Sequence, residues 1–347
     1  MRAEFSERLL EWWATHGRHD LPWQRPRTPY RVWVSEIMLQ QTQVATVIPY
    51  FERFVERFPD LAALAAADID EVLALWSGLG YYARARNLHK AGRECMERHG
   101  GELPVSAEEL AALPGIGEST ANAIVSQAHD IPAAVLDGNV RRVLARHEAI
   151  GGWAGEAAVR KRLWQAAGSR VPKTRGADYT QAIMDLGATV CTRTGPDCRN
   201  CPVSSDCRAF ETGTIDHYPA PRPRFDVREK KLHMLLLTRA DGAILLERRP
   251  PAGIWGGLWS LPDGDDAQGL NERLGVDDAD VQDLPAIEHR LTHLRLEIRP
   301  GLARAGPDTQ GVKCNDDLRW FGSGDWRSLG LPKPVLRLLE DFIEGER

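Results

Sequence analysis

From residue 1 to about residue 213, apolar positions recur at helical spacing. The stretches 31–57, 60–75, 84–99, 106–113, 118–129, 139–149 and 156–168 each read as helix, with Gly and Pro between them and few strand signals. The opening stretch, Met1 to Trp13, is amphipathic and acidic through Glu4, Glu7 and Glu11. The pattern changes at His217–Lys231. There Pro219, Pro221 and Pro223 alternate with Ala220, Arg222 and Arg224, and Arg228, Lys230 and Lys231 follow, as in a stiff extended linker. Beyond it, Leu232–Leu237 and Ala243–Glu247 flank an Asp241-Gly242 turn, a hairpin signal. Further strand-like runs at Trp255–Leu261 and Leu291–Ile298 and a last helix at Lys333–Ile343 predict an α+β second domain, with no internal repeat.

A chain of 347 residues is long for one core, so two domains are expected, and a 43% hydrophobic content excludes wholesale disorder. No run of eighteen apolar residues exists and the start is unlike a signal peptide, which predicts a soluble cytoplasmic protein with no membrane partner. A net charge of −5 does not advertise a nucleic-acid binder, so local basic clusters would have to supply any such attraction. Four of six cysteines crowd into Cys191-x6-Cys198-x2-Cys201-x5-Cys207, while Cys95 and Cys314 stand alone. Four soft thiolates in a loop punctuated by Gly195, Pro196 and Pro202 can converge on tetrahedral zinc or on an iron–sulfur cubane, and this chemistry alone does not separate the two. Disulfides are the bland alternative, disfavoured by the compartment.

Ser106-x-x-Glu109 opens a short helix as a capping box. Pro114-Gly115-Ile116-Gly117 then turns the chain into a second helix from about Glu118. Two turn glycines let backbone amides approach a phosphate beside a positive helix end, although a bare Pro-Gly-x-Gly reads more readily as a connector. In Val135-Leu136-Asp137-Gly138-Asn139, followed by Arg141, Arg142 and Arg146, Asp137 and Asn139 taken alone are helix caps. In the helix from Tyr30, the residues Trp33, Ile37, Gln40 and Val44 form a stripe with Glu36 at its edge. A carboxylate bordering an apolar face is partly desolvated and suits a general acid, whereas by itself it reads as a surface glutamate. Gly78-Leu79-Gly80-Tyr81-Tyr82 offers a flexible turn with an aromatic pair. Arg84, Arg86 and Lys90 follow on a helix face that could meet phosphates or simply solvent.

The run Leu113–Ala121 and the cysteine spacing resemble the endonuclease III, or helix-hairpin-helix, superfamily of DNA glycosylases. Pro22-Trp23-Gln24 and Val34–Gln43 resemble its adenine glycosylase branch, the MutY family. That resemblance implies a multidomain protein: an all-α helix-hairpin-helix glycosylase domain with a [4Fe–4S] cluster loop, plus an α+β Nudix-like C-terminal domain. The glycosylase domain would span 1–213, with a six-helix-barrel-like part at about 28–133 and an iron–sulfur part at 1–27 and 134–213. A Pro/Arg linker at 214–231 and a recognition domain at 232–347 would follow. The resemblance assigns the cluster to Cys191, Cys198, Cys201 and Cys207, and catalysis to Glu36 as acid, Asp137 as the anion facing the sugar and Asn139 as their support. A flipped adenine would be held by Trp23, Gln24, Leu39 and Gln181. Duplex contacts would come from Gln41, Leu79, Tyr81, Gly115, Gly117 and Ser119, with Gln41 and Tyr81 inserted near 8-oxoguanine. Strand-cutting members carry a lysine where this chain has Ser119, which cannot form a Schiff base, so a monofunctional enzyme is expected.

Gly253–Pro262 and Leu331–Leu339 resemble the Nudix-related, non-catalytic domain of the same family. The Arg-Glu-x-x-Glu-Glu core that holds magnesium in working Nudix hydrolases is missing after Pro262, which leaves recognition as the expected role. The family's Phe-Ser-His probe of 8-oxoguanine is matched by Leu291, Thr292 and His293, so the aromatic ring is lost. The expected activity is excision of adenine facing 8-oxoguanine or guanine in double-stranded DNA, in base excision repair, by a nucleoid-associated monomer. The alternative is a superfamily glycosylase acting on thymine opposite guanine or on an oxidised pyrimidine.

Overall fold

The computed structural model describes residues 4–223, 227–291, 294–306 and 314–345. Two compact units emerge, one formed by Met1–Ala66 with Asn87–Arg224 and the other by Ala67–Arg86 with Phe225–Arg347. The second unit thus takes a segment, 67–86, from within the expected domain 1–213. Among the described residues no helix is long and apolar enough to cross a membrane.

The first unit is helical. Its chain forms α1 (Phe5–His16), α2 (Pro29–Leu39), α3 (Val44–Arg57) and α4 (Leu61–Ala66); α5 (Ile69–Trp76) lies in the second unit, and α6 (Ala83–Arg98) spans the boundary. Next come α7 (Ala107–Ala112), α8 (Glu118–His129), α9 (Gly138–His147), α10 (Ala157–Gly168), α11 (Gly176–Asp185) and the short α12 (Arg208–Glu211). One core joins Leu9 and Trp13 of α1 to Val140 and Leu144 of α9, Leu163 of α10 and Ile183 of α11. Trp33, Phe51, Phe54 and Leu64 are fully buried on the other helices.

The expected helix 31–57 is two helices. Gln40 to Gln43 leave the helical path, and Gln41 adopts φ 60°, the left-handed conformation that commonly ends a helix. Four polar residues offered no apolar face to carry the helix through, so Val44 lies on α3 rather than on the stripe of Glu36. The 60–75 stretch likewise divides into α4 and α5.

In the second unit an eight-stranded sheet runs β3-β2-β1-β7-β5, with β4 on β1, β6 on β7 and β8 on β2. Its strands are β1 (Arg228–Thr238), β2 (Ile244–Arg248), β3 (Trp259–Ser260), β4 (Asp263–Gly264), β5 (Gln282–Asp283), β6 (Ile287–Arg290), β7 (Leu294–Arg304) and β8 (Leu318–Phe321). β1 and β7 are parallel over eleven residue pairs, from Arg228 opposite Leu294 to Thr238 opposite Arg304. Leu232, Met234 and Leu236 of β1 join one core with Val335 and Leu339 of α14 (Lys333–Gly345). Leu235 and Leu237 join another with Leu270 and Leu274 of α13 (Ala267–Leu274). A strand covered on both faces needs a nearly continuous apolar run, which this one has.

Residues 228–231, expected in the linker, are strand. Their side chains are exposed, and it is their backbones that pair with β7. Only Trp259–Ser260 of the expected strand 255–261 pairs with β2. Gly253, Trp255 and Gly257 before it all have positive φ and form turns.

Candidate active site

Thr28 starts α2 by accepting the Arg31 amide at 3.2 Å, with Pro29 at the first helical position. About two turns of helix then carry Glu36 to the wall of a cavity of about 770 Å³ in the first unit. Asp137 reaches the same cavity from the N-terminus of α9, where its Oδ1 accepts the Val140 amide at 2.7 Å. It is therefore both the helix cap that the local sequence suggests and a cavity carboxylate. Asn139, Trp23, Leu39, Gln41, Ser119 and Gln181 line the cavity too. Gln24 does not: it is buried, its amide donating to the Arg18 carbonyl and its oxygen accepting the Leu21 amide.

The two carboxylates feel different surroundings. Burial pushes the Glu36 carboxyl up to about 7, against the Gln127 amide, which donates to Glu36 Oε1 at 2.7 Å, and with added repulsion from Asp137. Burial also raises Asp137, but the amides of Val140 and Asn139 and the guanidinium groups of Arg141 and Arg142 pull it back. One acid is thereby kept available as a proton donor near neutrality beside a group whose anion is better supported.

The sequence named Ser119, Asn139 and Arg142 but not their contacts with this pair, and it did not name Gln127 or Gly187. Ser119 on α8 accepts the Leu136 amide at 2.8 Å and so ties the hairpin helix to the segment carrying Asp137. Arg142 donates to Asn139 Oδ1 at 2.9 Å and to the carbonyls of Gly187 and Cys191. Gly187 sits so close that a Cβ there would lie 2.6 Å from the Asn139 Cβ. Gln127 carried one signal, an amide within the buried run Ala123–Gln127 of α8. Its partner is 91 residues away, beyond any local pattern.

The hairpin is formed as expected, with Ser106 accepting the Glu109 amide at the start of α7 and Gly117 preceding α8. Gly115 has φ 78°, and a Cβ there would meet the Asn87 Cβ at 2.7 Å. In the second unit Tyr81 is 46% exposed at φ 51°, while Leu79 is buried. Gln41 and Tyr81, the two residues expected to enter the duplex, thus both hold a backbone conformation that side-chain-bearing residues rarely adopt. Arg84 and Arg86 are not arrayed for phosphates. Arg84 is buried, its guanidinium 5.5 Å from the rings of Trp76 and Tyr81, and Arg86 donates to the carbonyls of Gly256 and Pro251. Leu291 follows β6, its amide donating to the Leu294 carbonyl at 2.8 Å; Thr292 and His293 lie outside the described residues.

After a π-helical turn at Leu186–Val190, the loop bearing Cys191, Cys198, Cys201 and Cys207 folds through two short 3-10 turns around a second, small cavity. All four side chains line it, with Val143, Leu186, Val203 and Phe210. Burial raises Cys198, Cys201 and Cys207, Cys201 to about 12, and the neighbouring thiols raise each further. Thiols around one apolar cavity are donors of the kind that soft metals take. Among the described residues no group of three or more His, Cys, Asp or Glu is arranged to hold a single ion.

Residues 34–168 match the family described as HhH-GPD superfamily base excision DNA repair protein, and residues 233–341 match the NUDIX domain. A protein named adenine DNA glycosylase from Buchnera aphidicola subsp. Schizaphis graminum is 34% identical over 342 residues, covering 97% of this chain and 98% of its own. The adenine DNA glycosylase of Homo sapiens is 39% identical over 311 residues, covering 74% of this chain and 57% of its own. Among solved structures, a thermostable thymine-DNA glycosylase superposes with a TM-score of 0.53 at 27% identity, over 60% of this chain and 95% of that one.

Proposed function

The chain belongs to the adenine DNA glycosylase family of base excision DNA repair enzymes, and from that premise we propose that it excises adenine facing 8-oxoguanine or guanine in double-stranded DNA, as a monofunctional, monomeric hydrolase. The observation that carries this reading is the pair Glu36 and Asp137 on one cavity roomy enough for an extruded base. Breaking an N-glycosidic bond leaves negative charge on the base and positive charge on the sugar. A protonated Glu36 delivers its proton to N7 of adenine, and anionic Asp137 faces the oxocarbenium-like sugar until water completes hydrolysis. Asn139, held by Arg142, steadies the Asp137 end. Trp23, Leu39 and Gln181 enclose the base. Ser119 offers no amine for a Schiff base, so the strand stays uncut.

Outside the chemistry, Gly115 and Gly117 present hairpin amides to a phosphate, and Tyr81 and Gln41 prop the opened duplex. Thr292 and His293 are assigned to reading 8-oxoguanine. Cys191, Cys198, Cys201 and Cys207 fit a [4Fe–4S] cluster, which when bound supplies metal–thiolate bonds that fasten the loop.

The test is incubation with 8-oxoguanine:adenine duplexes beside guanine:adenine and thymine-containing controls. Release of adenine is expected from the first two. Glu36→Gln or Asp137→Asn is expected to slow release by about 10²-fold or more while duplex binding persists. Turnover near wild type in either variant removes that residue from the mechanism.

A further inference from the structure

We propose that Asp185 sets the base selectivity of this pocket, by fixing the Gln181 side-chain amide with its oxygen toward the flipped base. The inference rests on the adenine reading of the cavity and deepens it. Asp185 closes α11, fully buried, one turn after Gln181. Its Oδ2 accepts from Trp13 Nε1 at 3.0 Å and from the Arg18 amide at 2.9 Å. Its Oδ1 accepts from Arg18 Nε at 2.8 Å, from Arg18 Nη2, and from Gln181 Nε2 at 2.8 Å. Both Asp185 oxygens are accepting from these donors, and the two ends of a glutamine amide are nearly the same size but opposite in hydrogen-bonding character. The nitrogen end of Gln181 must therefore face Asp185. Its Oε1 takes no hydrogen bond from any described residue and is the end left for the cavity that Gln181 lines.

An acceptor at that place matches a base with an amino group. Adenine carries one on C6, whereas guanine, 8-oxoguanine and hypoxanthine carry a carbonyl oxygen there. In a duplex where a purine faces a purine, this device lets the enzyme hold the adenine and refuse its partner. A buried polar group aimed at one partner discriminates strongly because the wrong base leaves both acceptors unmatched. Asp185 touches no substrate; it is a positioning residue acting through Gln181.

The experiment measures the affinity of the full-length protein for duplexes carrying uncleavable 2′-fluoro nucleotides of adenine or hypoxanthine opposite 8-oxoguanine. Pairing and extrusion costs belong to the DNA and cancel when one protein variant is compared with another on the same duplexes. Relative to Gln181→Leu, the wild type is expected to favour adenine over hypoxanthine by about tenfold more. Asp185→Asn, whose own amide can donate to Gln181 Oε1 and let it turn, is expected to fall to the Gln181→Leu preference. In the double variant the Asp185 change then adds nothing. A folded Asp185→Asn protein with wild-type preference overturns the proposal. Should that variant not fold, a Gln181→Leu preference equal to wild type overturns it alone. Adenine release from an unmodified 8-oxoguanine:adenine duplex is followed in parallel. Absence of release sinks the glycosylase reading, whereas release without the binding preference sinks only the role of Asp185.

Discussion

In the proposed mechanism, where Glu36 acts protonated and Asp137 ionised, Glu36 sets how base release answers to pH. Its carboxyl is pushed up to about 7, and the reaction needs it protonated, so base release should decline as pH climbs through that value. Asp137 must be ionised, and its raised value places the acidic limb higher than an ordinary aspartate would. The profile is therefore expected to be bell-shaped under single-turnover conditions. Gln127 lowers Glu36 by donating to its anion. Gln127→Leu should move the alkaline limb to higher pH, and a limb that stays in place would mean that another group sets it. The polar edge of an apolar stripe made the desolvation of Glu36 legible in the sequence. Gln127 and Asp185 were not legible, because each matters only through a partner that folding brings from far along the chain. Gln24 shows the converse: the motif containing it was evident, yet its amide is consumed by the backbone of Arg18 and Leu21.

The hairpin shows which elements sequence periodicity can and cannot deliver. Its capping serine and paired glycines are local signals, and α7, the turn and α8 appear where they predict. By contrast α11, which carries both Gln181 and Asp185, was not expected as a helix. It begins at Gly176 just after Arg175 in a left-handed conformation, without a side-chain cap. Its placement comes instead from burial against α1 and α8, since Tyr179, Ala182 and Ile183 are all inside. The hairpin supports a sharper prediction than α11. Gly115→Ala would force a Cβ into Asn87 at φ 78°, costing about 1–3 kcal/mol locally and pushing the turn amides out of line. Duplex affinity should fall for matched and mismatched DNA alike, because phosphate grip carries no sequence information. A loss confined to mispaired DNA in filter-binding titrations would contradict that assignment.

At the scale of the whole molecule, a net charge of −5 agrees with the finding that Arg84 and Arg86 are spent inside the protein, so attraction to DNA falls to fewer exposed groups. That the chain is helical before the linker and sheet-bearing after it was legible from the change of period there. That residues 67–86 pack with residues from beyond 225 was not, because no local pattern announces a partner about 180 residues away. Asp70 Oδ2 accepts from Arg248 Nη2 at 2.6 Å and from Trp259 Nε1 at 3.1 Å, and Ser77 and Tyr82 donate their hydroxyls to the Leu331 carbonyl. The loop that displays Tyr81 is thus anchored on the sheet unit. Asp70→Ala would strip the indole of buried Trp259 and the half-buried Arg248 of a common acceptor, at a cost of about 1–3 kcal/mol. The exposed pair of Lys230 and Asp265 is the control, because Asp265→Ala removes a solvent-screened contact worth under about 1 kcal/mol. Urea unfolding should show a clear loss for Asp70→Ala, accompanied by weaker binding of 8-oxoguanine:adenine duplexes as the Tyr81 loop loosens, and near-wild-type behaviour for Asp265→Ala. Equal stability and equal binding in the two variants would mean that the segment from 67 to 86 does not depend on its distant partners.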